Sequence, residues 1–369
     1  QISYALFQIP GGWLGDRFGP RRALTGVVLW WSAFTAATAG TWSAGSMIVT
    51  RFLFGMGEAG AFPIATRSLS RWMLPAERGW AQGVTHAGAR LGAAVTPVFV
   101  ALLIVSFGWR MPFLLFALVG IAWALLWFWY YRDTPRQHPS VNEAELALIE
   151  GALGQGKARV RVPWSKLLAR PQLWTLAAMY FCYAYCINIF LTWFPNYLND
   201  ARGFDIAAMG LFASMPLAAG VVGDLLGGWF SDQLIKRGST IRFARRVVAI
   251  VGFLIAAIMI PLAAGTEAPM VSILFFCIAL FGLELTVGVS WAVTLDIGGE
   301  YAGSVSAVMN TLGNIGAAIA AVITGYIVTH SGWFAAFSVL AVLCLIAAAL
   351  FLRIDASRPL YIEPEEAAA

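Results

Sequence analysis

Long apolar runs free of charge are the feature that most constrains how this chain can fold. Four runs contain no Asp, Glu, Lys or Arg: Ala23–Met47, Met111–Tyr131, Val247–Thr266 and Gly332–Leu352. A helix needs roughly 20 apolar residues to cross the hydrocarbon core of a bilayer. Because that core offers no water to unpaired backbone groups, each run is predicted to be a membrane-spanning helix.

Seven further runs carry a few polar residues and are also predicted to span. They are Gln1–Gly15, Thr50–Leu69, Gly83–Phe107, Leu173–Leu198, Ala207–Phe230, Pro269–Val293 and Ser304–Thr329. The sequence thus predicts 11 spans in a chain that is 60% hydrophobic and 12% charged. An odd number does not fit two equal halves, and residue 1 falls inside an apolar run, so we expect that the first helix is missing.

An internal repeat divides the chain into halves. The segment Gly11–Arg17 (GGWLGDR) returns 216 residues later as Gly227–Gln233 (GGWFSDQ). A second match relates Gly92–Phe113 to Gly316–Phe337 at an offset of 224 residues. Two separate matches at nearly one spacing indicate a duplicated unit. Duplicated membrane halves are typical of secondary transporters, which rock one half against the other.

The repeat and a polar stretch between the halves predict four regions. Residues 1–132 form an N-terminal transmembrane bundle (spans two to six), and residues 172–354 form a C-terminal bundle (spans seven to twelve). Residues 133–171 form a linker that contains a short amphipathic helix, Glu143–Leu153, for which Asn142 is the expected N-cap. Residues 355–369 form a charged tail.

Basic residues predict the orientation. If Gln1–Gly15 runs from outside to inside, 20 of the 24 Lys and Arg residues fall on the cytoplasmic side. This distribution agrees with the positive-inside rule and places the linker and the C-terminus in the cytoplasm. The net charge of +5 therefore reflects membrane topology and is not evidence for nucleic-acid binding.

Ionisable and polar residues inside the spans are the candidates for function, because a charge in hydrocarbon is costly unless it faces water or the bundle interior. Glu58, Arg90 and Glu284 come out near mid-membrane from a rise of about 1.5 Å per residue. Arg51 shares a helix face with Glu58, two turns away. Other candidates are polar residues of the seventh and eleventh spans: Tyr180, Tyr183, Asn188, Asn310 and Asn314.

Each candidate also has a purely structural interpretation. Arg51 could extend to the outer membrane interface, and Glu58 could be a neutral structural carboxyl. For Glu284 the sequence favours neither the functional nor the structural interpretation. For His86 we favour a packing role, and Asp224 could simply interact with arginines of its own loop. For the four cysteines, we expect buried, inert thiols rather than a metal or redox site.

A deep arginine opposite a deep carboxyl suggests a mechanism. Guanidinium stays charged and holds a carboxylate through two parallel hydrogen bonds. A carboxyl in low dielectric takes up a proton more readily than one in water. Moving an anion inward against a negative-inside potential costs about 2.3 kcal/mol per charge per 100 mV. A proton that enters with the anion cancels this cost, so anion and proton symport is the simplest hypothesis.

The segment between the second and third predicted helices resembles the signature of the major facilitator superfamily. Its matching residues are Gly12, Asp16, Arg17, Gly19, Arg21 and Arg22. The resemblance implies a cytoplasmic gate in which the Asp and Arg side chains engage helix ends across the two halves. The second copy keeps Gly228 and Asp232 but has Gln233 in place of Arg, so we expect this copy of the gate to be weaker.

More narrowly, Arg51-x6-Glu58-x4-Pro63 and Pro75-x-Glu77-Arg78 resemble the anion:cation symporter family of sugar-acid and related organic-anion transporters. The segments Thr192-Trp193-x-Pro195 and Asn310-x3-Asn314 agree with it, and the resemblance extends from residue 1 to about 355. It implies roles for Arg51 and Glu58 in substrate binding and proton coupling. A first-helix Asp/Arg element of that family is absent from this sequence. The role proposed for Arg90 in substrate binding is not implied by the resemblance and depends only on its predicted depth in the membrane.

The sequence therefore predicts an all-α integral membrane protein of the major facilitator fold, with two six-helix bundles related by pseudo-twofold symmetry. Its predicted function is proton-coupled symport of a small organic anion, a sugar acid, by alternating access. The alternatives are a drug or metabolite exporter or antiporter of the same fold, and a non-transporting membrane sensor. We expect no enzymatic activity, no cofactor (with H⁺ as the coupling ion), no bound metal, and a monomer in the plasma or inner membrane.

Overall fold

The computed structural model describes residues 2–153, 162–204 and 206–360. Within these residues the regular structure is helical, with no strand, as the sequence predicts. The α-helices, in chain order, are α1 Ile2–Phe18, α2 Pro20–Ala39, α3 Ala44–Glu58, α4 Ala61–Trp72, α5 Arg78–Phe107, α6 Met111–Tyr130, α7 Glu143–Leu153, α8 Trp164–Leu168, α9 Pro171–Thr192, α10 Phe194–Asp200, α11 Ile206–Lys236, α12 Ile241–Gly265, α13 Pro269–Gly298 and α14 Ala302–Phe351. Two 3₁₀ turns, Pro135–Gln137 and Gly299–Tyr301, complete the described elements.

Four helical stretches of the described residues are long and apolar enough to cross a membrane by length and composition alone. They are Met111–Tyr130, Pro171–Thr192, Ile241–Gly265 and Pro269–Phe351, the last of which comprises α13 and α14.

The predicted span Ala23–Met47 was wrong at its end. Helix α2 stops at Ala39 and α3 begins at Ala44. The Ser43 side chain accepts a hydrogen bond from the Ser46 N–H at 3.1 Å, and the Ser46 hydroxyl accepts one from the Ser43 N–H at 3.0 Å. This capping box starts a new helix inside an uncharged run. Hydropathy alone does not detect it.

Two other predicted spans are interrupted. Thr50–Leu69 covers α3 and α4, which break after Glu58, and Leu173–Leu198 covers α9 and α10, where Pro195 lies in the first turn of α10. Conversely, the last two predicted spans lie on α14, which breaks at Gly332 (φ 79°, ψ 174°). Only glycine adopts that backbone conformation without strain.

The chain divides into two compact units, which we describe separately. Unit 1 comprises Gln1–Pro75, Ala89–Ser165 and Thr294–Thr311, and unit 2 comprises Ala76–Gly88, Lys166–Val293 and Leu312–Ala369. Each unit thus takes in a short segment from the other half of the sequence. The bundle boundaries 1–132 and 172–354 stay a prediction.

Each unit has an apolar core. In unit 1, helix α2 packs against α3 and α6, and its buried Leu24 and Val28 meet Ile64 and Ala124. In unit 2 an aromatic cluster occupies the core. It consists of Phe194, Tyr197, Phe276 and Phe337, whose rings contact one another edge to face. Such aromatic pairs add to the free energy gained by burial alone.

The linker contains α7, Glu143–Leu153, which begins at the predicted residue. Asn142 Oδ1 accepts a hydrogen bond from the Glu145 N–H at 2.8 Å, which caps the first turn. Arg136 holds the other end through two bonds to the Glu150 carboxylate, at 3.0 and 2.7 Å. The basic residues Lys157, Arg159 and Arg161 and the tail beyond residue 360 lie outside the described residues.

Candidate functional site

The Asp16 carboxylate lies at the end of α1 against the first turn of α14, within unit 1. Its Oδ2 accepts hydrogen bonds from the Ser304 N–H at 2.7 Å and from the Ser304 hydroxyl at 2.6 Å. Its Oδ1 lies 3.4 Å from Arg67 Nε, and both side chains are fully buried. The first N–H groups of a helix have no partner inside it and carry its positive dipole end. Asp16 therefore caps α14 and neutralises Arg67.

Two glycines allow this approach. A Cβ on Gly12 would fall within van der Waals overlap of the Gly303 carbonyl, and a Cβ on Gly303 would come 2.9 Å from Asp16 Oδ1. Any larger residue at either position would separate α1 from α14.

A second arrangement of the same kind occurs in unit 2. Asp232 accepts hydrogen bonds from the N–H groups of Gly79 and Trp80 in the first turn of α5, at 3.1 and 2.6 Å. Arg245 Nη1 lies 2.7 Å from Asp232 Oδ1. Gly228 packs directly on the Gly79 carbonyl, as Gly12 does on that of Gly303. The repeat offsets of 216 and 224 residues relate the two arrangements.

In both copies the buried cation comes from another helix and not from the signature segment, and the expectation of a weaker second copy stays a prediction. In the second copy Arg245 from α12 supplies the cation at 2.7 Å. In the first copy Arg67 from α4 does so at 3.4 Å.

The three arginines of the signature segment are placed differently from one another. Arg17 and Arg22 are exposed. Arg21 Nε donates to the Phe128 carbonyl at 2.8 Å, near the end of α6, and the Arg21 N–H donates to Asp133 Oδ1 at 2.8 Å. Arg21 thus engages a helix end.

A polar cluster in unit 1 surrounds the break after α3. Glu58 is the last residue of α3 and is half-buried. Nearby on α1, the Tyr4 hydroxyl interacts with the side chains of Gln8 and Asn310. Asn310 Nδ2 donates to Gln8 Oε1 at 2.8 Å, and Gln8 is fully buried. Asn310, a predicted residue, therefore contacts two α1 side chains, Tyr4 and Gln8, that sequence reasoning missed.

The two candidate arginines of unit 1 have different surroundings. Arg51 is exposed, and its guanidinium carbon lies 5.4 Å from the ring centroid of Phe54 and 5.0 Å from that of Phe113. Such stacking orients a guanidinium and leaves its N–H donors available at the edge. Arg90 is half-buried on α5.

The predicted residues of unit 2 include a buried carboxyl. Glu284 on α13 is fully buried, and the Tyr183 hydroxyl on α9 lies 3.1 Å from each of its carboxylate oxygens. One turn away, the Tyr180 hydroxyl accepts a hydrogen bond from Trp291 Nε1 at 2.8 Å. The Tyr180 and Tyr183 rings stack with centroids 5.1 Å apart.

Glycines fix the positions of these side chains. A Cβ on Gly220 or Gly223 of α11 would come 3.0 or 3.1 Å from the Glu284 side chain. A Cβ on Gly313 would come 2.7 Å from the Tyr180 ring. The Glu284 side chain and the Tyr180 ring are therefore packed against helix backbone and not against flexible side chains.

Asn188 and Asn314 are the other predicted residues of unit 2. The Asn188 backbone carbonyl accepts the Thr192 hydroxyl at 2.7 Å within α9, and Asn314 is half-buried on α14. His86 packs its ring against Trp291, with centroids 4.8 Å apart, in keeping with the packing role favoured from the sequence. Trp291 itself was missed, because a tryptophan in an apolar run gives no signal of a hydrogen bond.

The chemistry available here is binding and proton exchange. Within the part of the chain that the structure describes, no group of three or more His, Cys, Asp or Glu side chains could hold a metal ion. Arginines offer charged donors to an anion, and phenols, amides and indole offer neutral ones. Carboxyl groups such as those of Glu58 and Glu284 can in general hold or release a proton.

Comparison with known proteins places this geometry in context. The sequence profile of the Major Facilitator Superfamily matches residues 1–321. A probable sulfoacetate transporter from Cupriavidus necator is 40% identical over 331 residues, covering 89% of this chain and 76% of that protein. The hexuronate transporter of Bacillus subtilis is 31% identical, covering 99% and 86%. A probable galactarate/D-glucarate transporter of the same organism is 35% identical, covering 90% and 76%.

Solved structures share the fold. The human organic anion transporter MFSD10 superposes with a TM-score of 0.73 at 16% identity, covering 95% of this chain and 81% of that one. A proton:xylose symporter superposes with a TM-score of 0.73 at 14% identity, covering 99% and 87%.

Proposed function

The chain belongs to the Major Facilitator Superfamily, and from this premise we propose that it carries a small organic anion across a membrane together with protons, by alternating access. Proteins of this superfamily are multi-pass membrane transporters, and the predicted fold and family are confirmed. The names of the relatives, which include hexuronate and galactarate/D-glucarate transporters, support an organic anion as the cargo.

The cargo that we propose is a sugar acid. Its carboxylate would bind to Arg51 and Arg90, whose donors match two carboxylate oxygens. The neutral donors and acceptors predicted for substrate binding are Asn310 in unit 1 and Tyr180, Tyr183, Asn188 and Asn314 in unit 2. Tyr4 and Gln8 join this set, because they interact directly with Asn310.

A small sulfonate is the second candidate, favoured by the 40% identity to the probable sulfoacetate transporter. A sulfonate also has a full negative charge and planar faces of oxygens that guanidinium binds. It has fewer hydroxyls, so it would make less use of the phenols and amides.

The observation that carries the proton part of the proposal is the contact between Tyr183 and Glu284. A fully buried carboxyl within 3.1 Å of a phenol can hold a proton, or can lose it and keep the phenol as a donor. An ionisable residue inside a membrane is a functional candidate by default. Glu58 in unit 1 is the second carboxyl that we assign to proton coupling.

The two capped helices are proposed as a cytoplasmic gate. The Asp16 carboxylate accepts hydrogen bonds at the N-terminus of α14, and the Asp232 carboxylate does so at the N-terminus of α5. Each carboxylate also lies against a buried arginine. When the cytoplasmic side opens, these carboxylates would release their helix ends. Arg17, Arg21 and Arg22, also predicted for the gate, would contribute positive charge near Asp16.

The proposal is tested with the full-length protein in liposomes. Uptake of glucarate, galacturonate and sulfoacetate is measured with and without an inwardly directed proton gradient, and again after a protonophore. We expect one of these anions to accumulate only when the gradient is present. Accumulation driven by sodium at constant pH would contradict proton coupling, and no uptake of any organic anion would contradict the cargo.

The same assay separates the alternatives. An exporter or antiporter would accelerate release of a preloaded compound under the same gradient. A non-transporting sensor would bind an anion, as shown by a thermal shift, without moving it.

A further inference from the structure

Two cysteine sulfurs meet in the interior of unit 2. Cys186 Sγ on α9 lies 3.8 Å from Cys344 Sγ, on the part of α14 that follows the break at Gly332. Cys186 is fully buried and Cys344 is 1% exposed. Cys186 Sγ also lies 3.7 Å from the Leu340 carbonyl, one turn before Cys344. The two helices are therefore in direct contact at these residues.

We propose that Cys186 and Cys344 form an oxidation site, at which a small neutral hydroperoxide joins them in a disulfide that fixes α9 to α14. This departs from the inert thiols expected from the sequence, which could not show that the two sulfurs meet. The sulfurs must approach by about 1.8 Å to reach the S–S bond length of about 2.05 Å, starting from 3.8 Å. Rotation about a Cα–Cβ bond moves a sulfur by more than this, so side-chain rotation at Cys186 and Cys344 can supply the approach.

The chemistry balances with hydrogen peroxide as the oxidant. One thiol gives up its proton, and the thiolate attacks a peroxide oxygen, breaks the O–O bond and becomes a sulfenic acid. The departing hydroxide takes up the thiol proton and leaves as the first water. The second thiol then attacks the sulfenic sulfur, the S–S bond forms, and the second water leaves. Two thiols lose two hydrogens in total, and the peroxide takes up both electrons. Peroxide is nearly water-sized and uncharged, so it can enter a packed interior that excludes bulky thiol reagents.

The functional consequence rests on the proposed function. Helix α9 carries Tyr180, Tyr183 and Asn188, the residues proposed to contact the cargo and Glu284. A covalent bond at Cys186, one turn from Tyr183, would hold this helix in the position seen here. Uptake should then fall under oxidation and return on reduction.

The experiment counts thiols in the full-length protein in native membranes. After peroxide treatment and removal of excess peroxide, the protein is denatured in detergent and labelled with a polymer-linked maleimide, which shifts its mass on a gel for each free thiol. We expect two fewer labelled thiols than in untreated protein, full recovery after dithiothreitol, and a peptide pair joining Cys186 to Cys344 by mass spectrometry. Uptake measured in parallel should fall about tenfold and recover with dithiothreitol.

Single substitutions provide the controls. C186S and C344S should each abolish the loss of thiols and protect uptake from peroxide. C277S, which removes the half-buried cysteine of α13, should leave both effects intact. C182S should behave like C277S, although Cys182 lies one turn from Cys186 on the same helix.

The proposal is overturned if all thiols stay free at a peroxide dose that oxidises the unfolded protein, or if Cys182 replaces Cys186 in the bridge. A disulfide that forms without any fall in uptake overturns the functional part. The thiol count needs no substrate, and untreated C186S protein reports uptake without the bridge. Failure of this proposal and failure of the transport proposal are therefore distinguishable.

Discussion

Asp16 and Ser304 are joined by two hydrogen bonds to one carboxylate oxygen, from the Ser304 N–H at 2.7 Å and from its hydroxyl at 2.6 Å. The residues are 288 positions apart, and the contact links the end of one helix to the start of another. Bonds to a charged acceptor are stronger than bonds between neutral groups. The carboxylate is thus held by the backbone of α14, with the hydroxyl as an addition.

Replacement of Ser304 by Ala should remove only the hydroxyl bond. The N–H bond remains, so we expect a loss of about 1–2 kcal/mol in the free energy of unfolding, measured by thermal or denaturant unfolding in detergent. Ser306→Ala is the matched control, because the Ser306 hydroxyl donates to the Gly303 carbonyl of the preceding turn. Equal stability of the two variants would show that the Ser304 hydroxyl contributes nothing beyond the backbone.

Replacement of Arg245 by Gln should cost more. Arg245 is fully buried and is the cation for Asp232, so the variant leaves a buried carboxylate without its counter-charge. Breaking a buried ion pair from one side costs about 3–5 kcal/mol. Arg237→Gln, at an exposed arginine close to the same helix end, should change stability by less than about 0.5 kcal/mol. A small effect at Arg245 would mean that the N–H groups of Gly79 and Trp80 suffice to hold Asp232.

The contrast between Arg245 and Gln233 shows where sequence reasoning ends. The repeat predicted that Asp232 would be a second Asp16, since the local pattern and its spacing recur. It could not predict the cation, because Arg245 reaches Asp232 from the next helix, and only helix packing determines that. Likewise Tyr183 and Glu284 were predicted separately, but their contact across 101 residues depends on the glycines of α11.

Helix ends were predicted correctly where a capping side chain marks them, and were missed where the sequence is merely apolar. Asn142 and the acidic residues after it predicted the first residue of α7, because an N-cap is a short-range interaction. The turn at Gly40–Ser43 was missed, because uncharged small residues do not lower hydropathy enough to interrupt a span. Gln8 was missed because its partner, Asn310, is 302 positions away.

Gly12→Ala should destabilise unit 1 by pushing α1 away from α14. The added methyl group would overlap the Gly303 carbonyl, which is backbone and cannot rotate away. Overpacking of this kind costs about 1–3 kcal/mol, so the melting temperature should fall. Gly26→Ala is the control, since nothing lies within 4 Å of its added methyl group and alanine favours helix. A melting temperature for Gly12→Ala at or above that of Gly26→Ala would contradict the close packing.

The surroundings of Asp355 predict that the protein becomes less stable as the pH falls into the acid range. Partial burial would raise the pKa of its carboxyl, but hydrogen bonds from Ser357 and the charges of Arg242 and Arg358 outweigh this and lower the pKa below its ordinary 3.8. A lowered pKa means that the folded protein prefers the charged form, so the stabilisation is fully present above pH 3.8 and is lost as the pH falls through the folded-state pKa. Asp355→Asn should flatten this part of a plot of melting temperature against pH, measured between neutral pH and pH 3. An unchanged acid limb would assign the loss of stability to other carboxyls.

Glu284→Gln and Glu58→Gln test which carboxyl couples transport to protons. Glutamine keeps the size of the side chain and the contact with Tyr183 but cannot take up a proton. One pH unit across the membrane corresponds to 1.36 kcal/mol per proton, so wild type should accumulate its anion about tenfold for each coupled proton. A variant that lacks the coupling carboxyl should show no accumulation under the gradient while still exchanging internal for external anion. Glu267→Gln, at an exposed residue between α12 and α13, should accumulate as wild type does. Accumulation by Glu284→Gln at the wild-type level would remove Glu284 from the coupling mechanism and leave that role to Glu58.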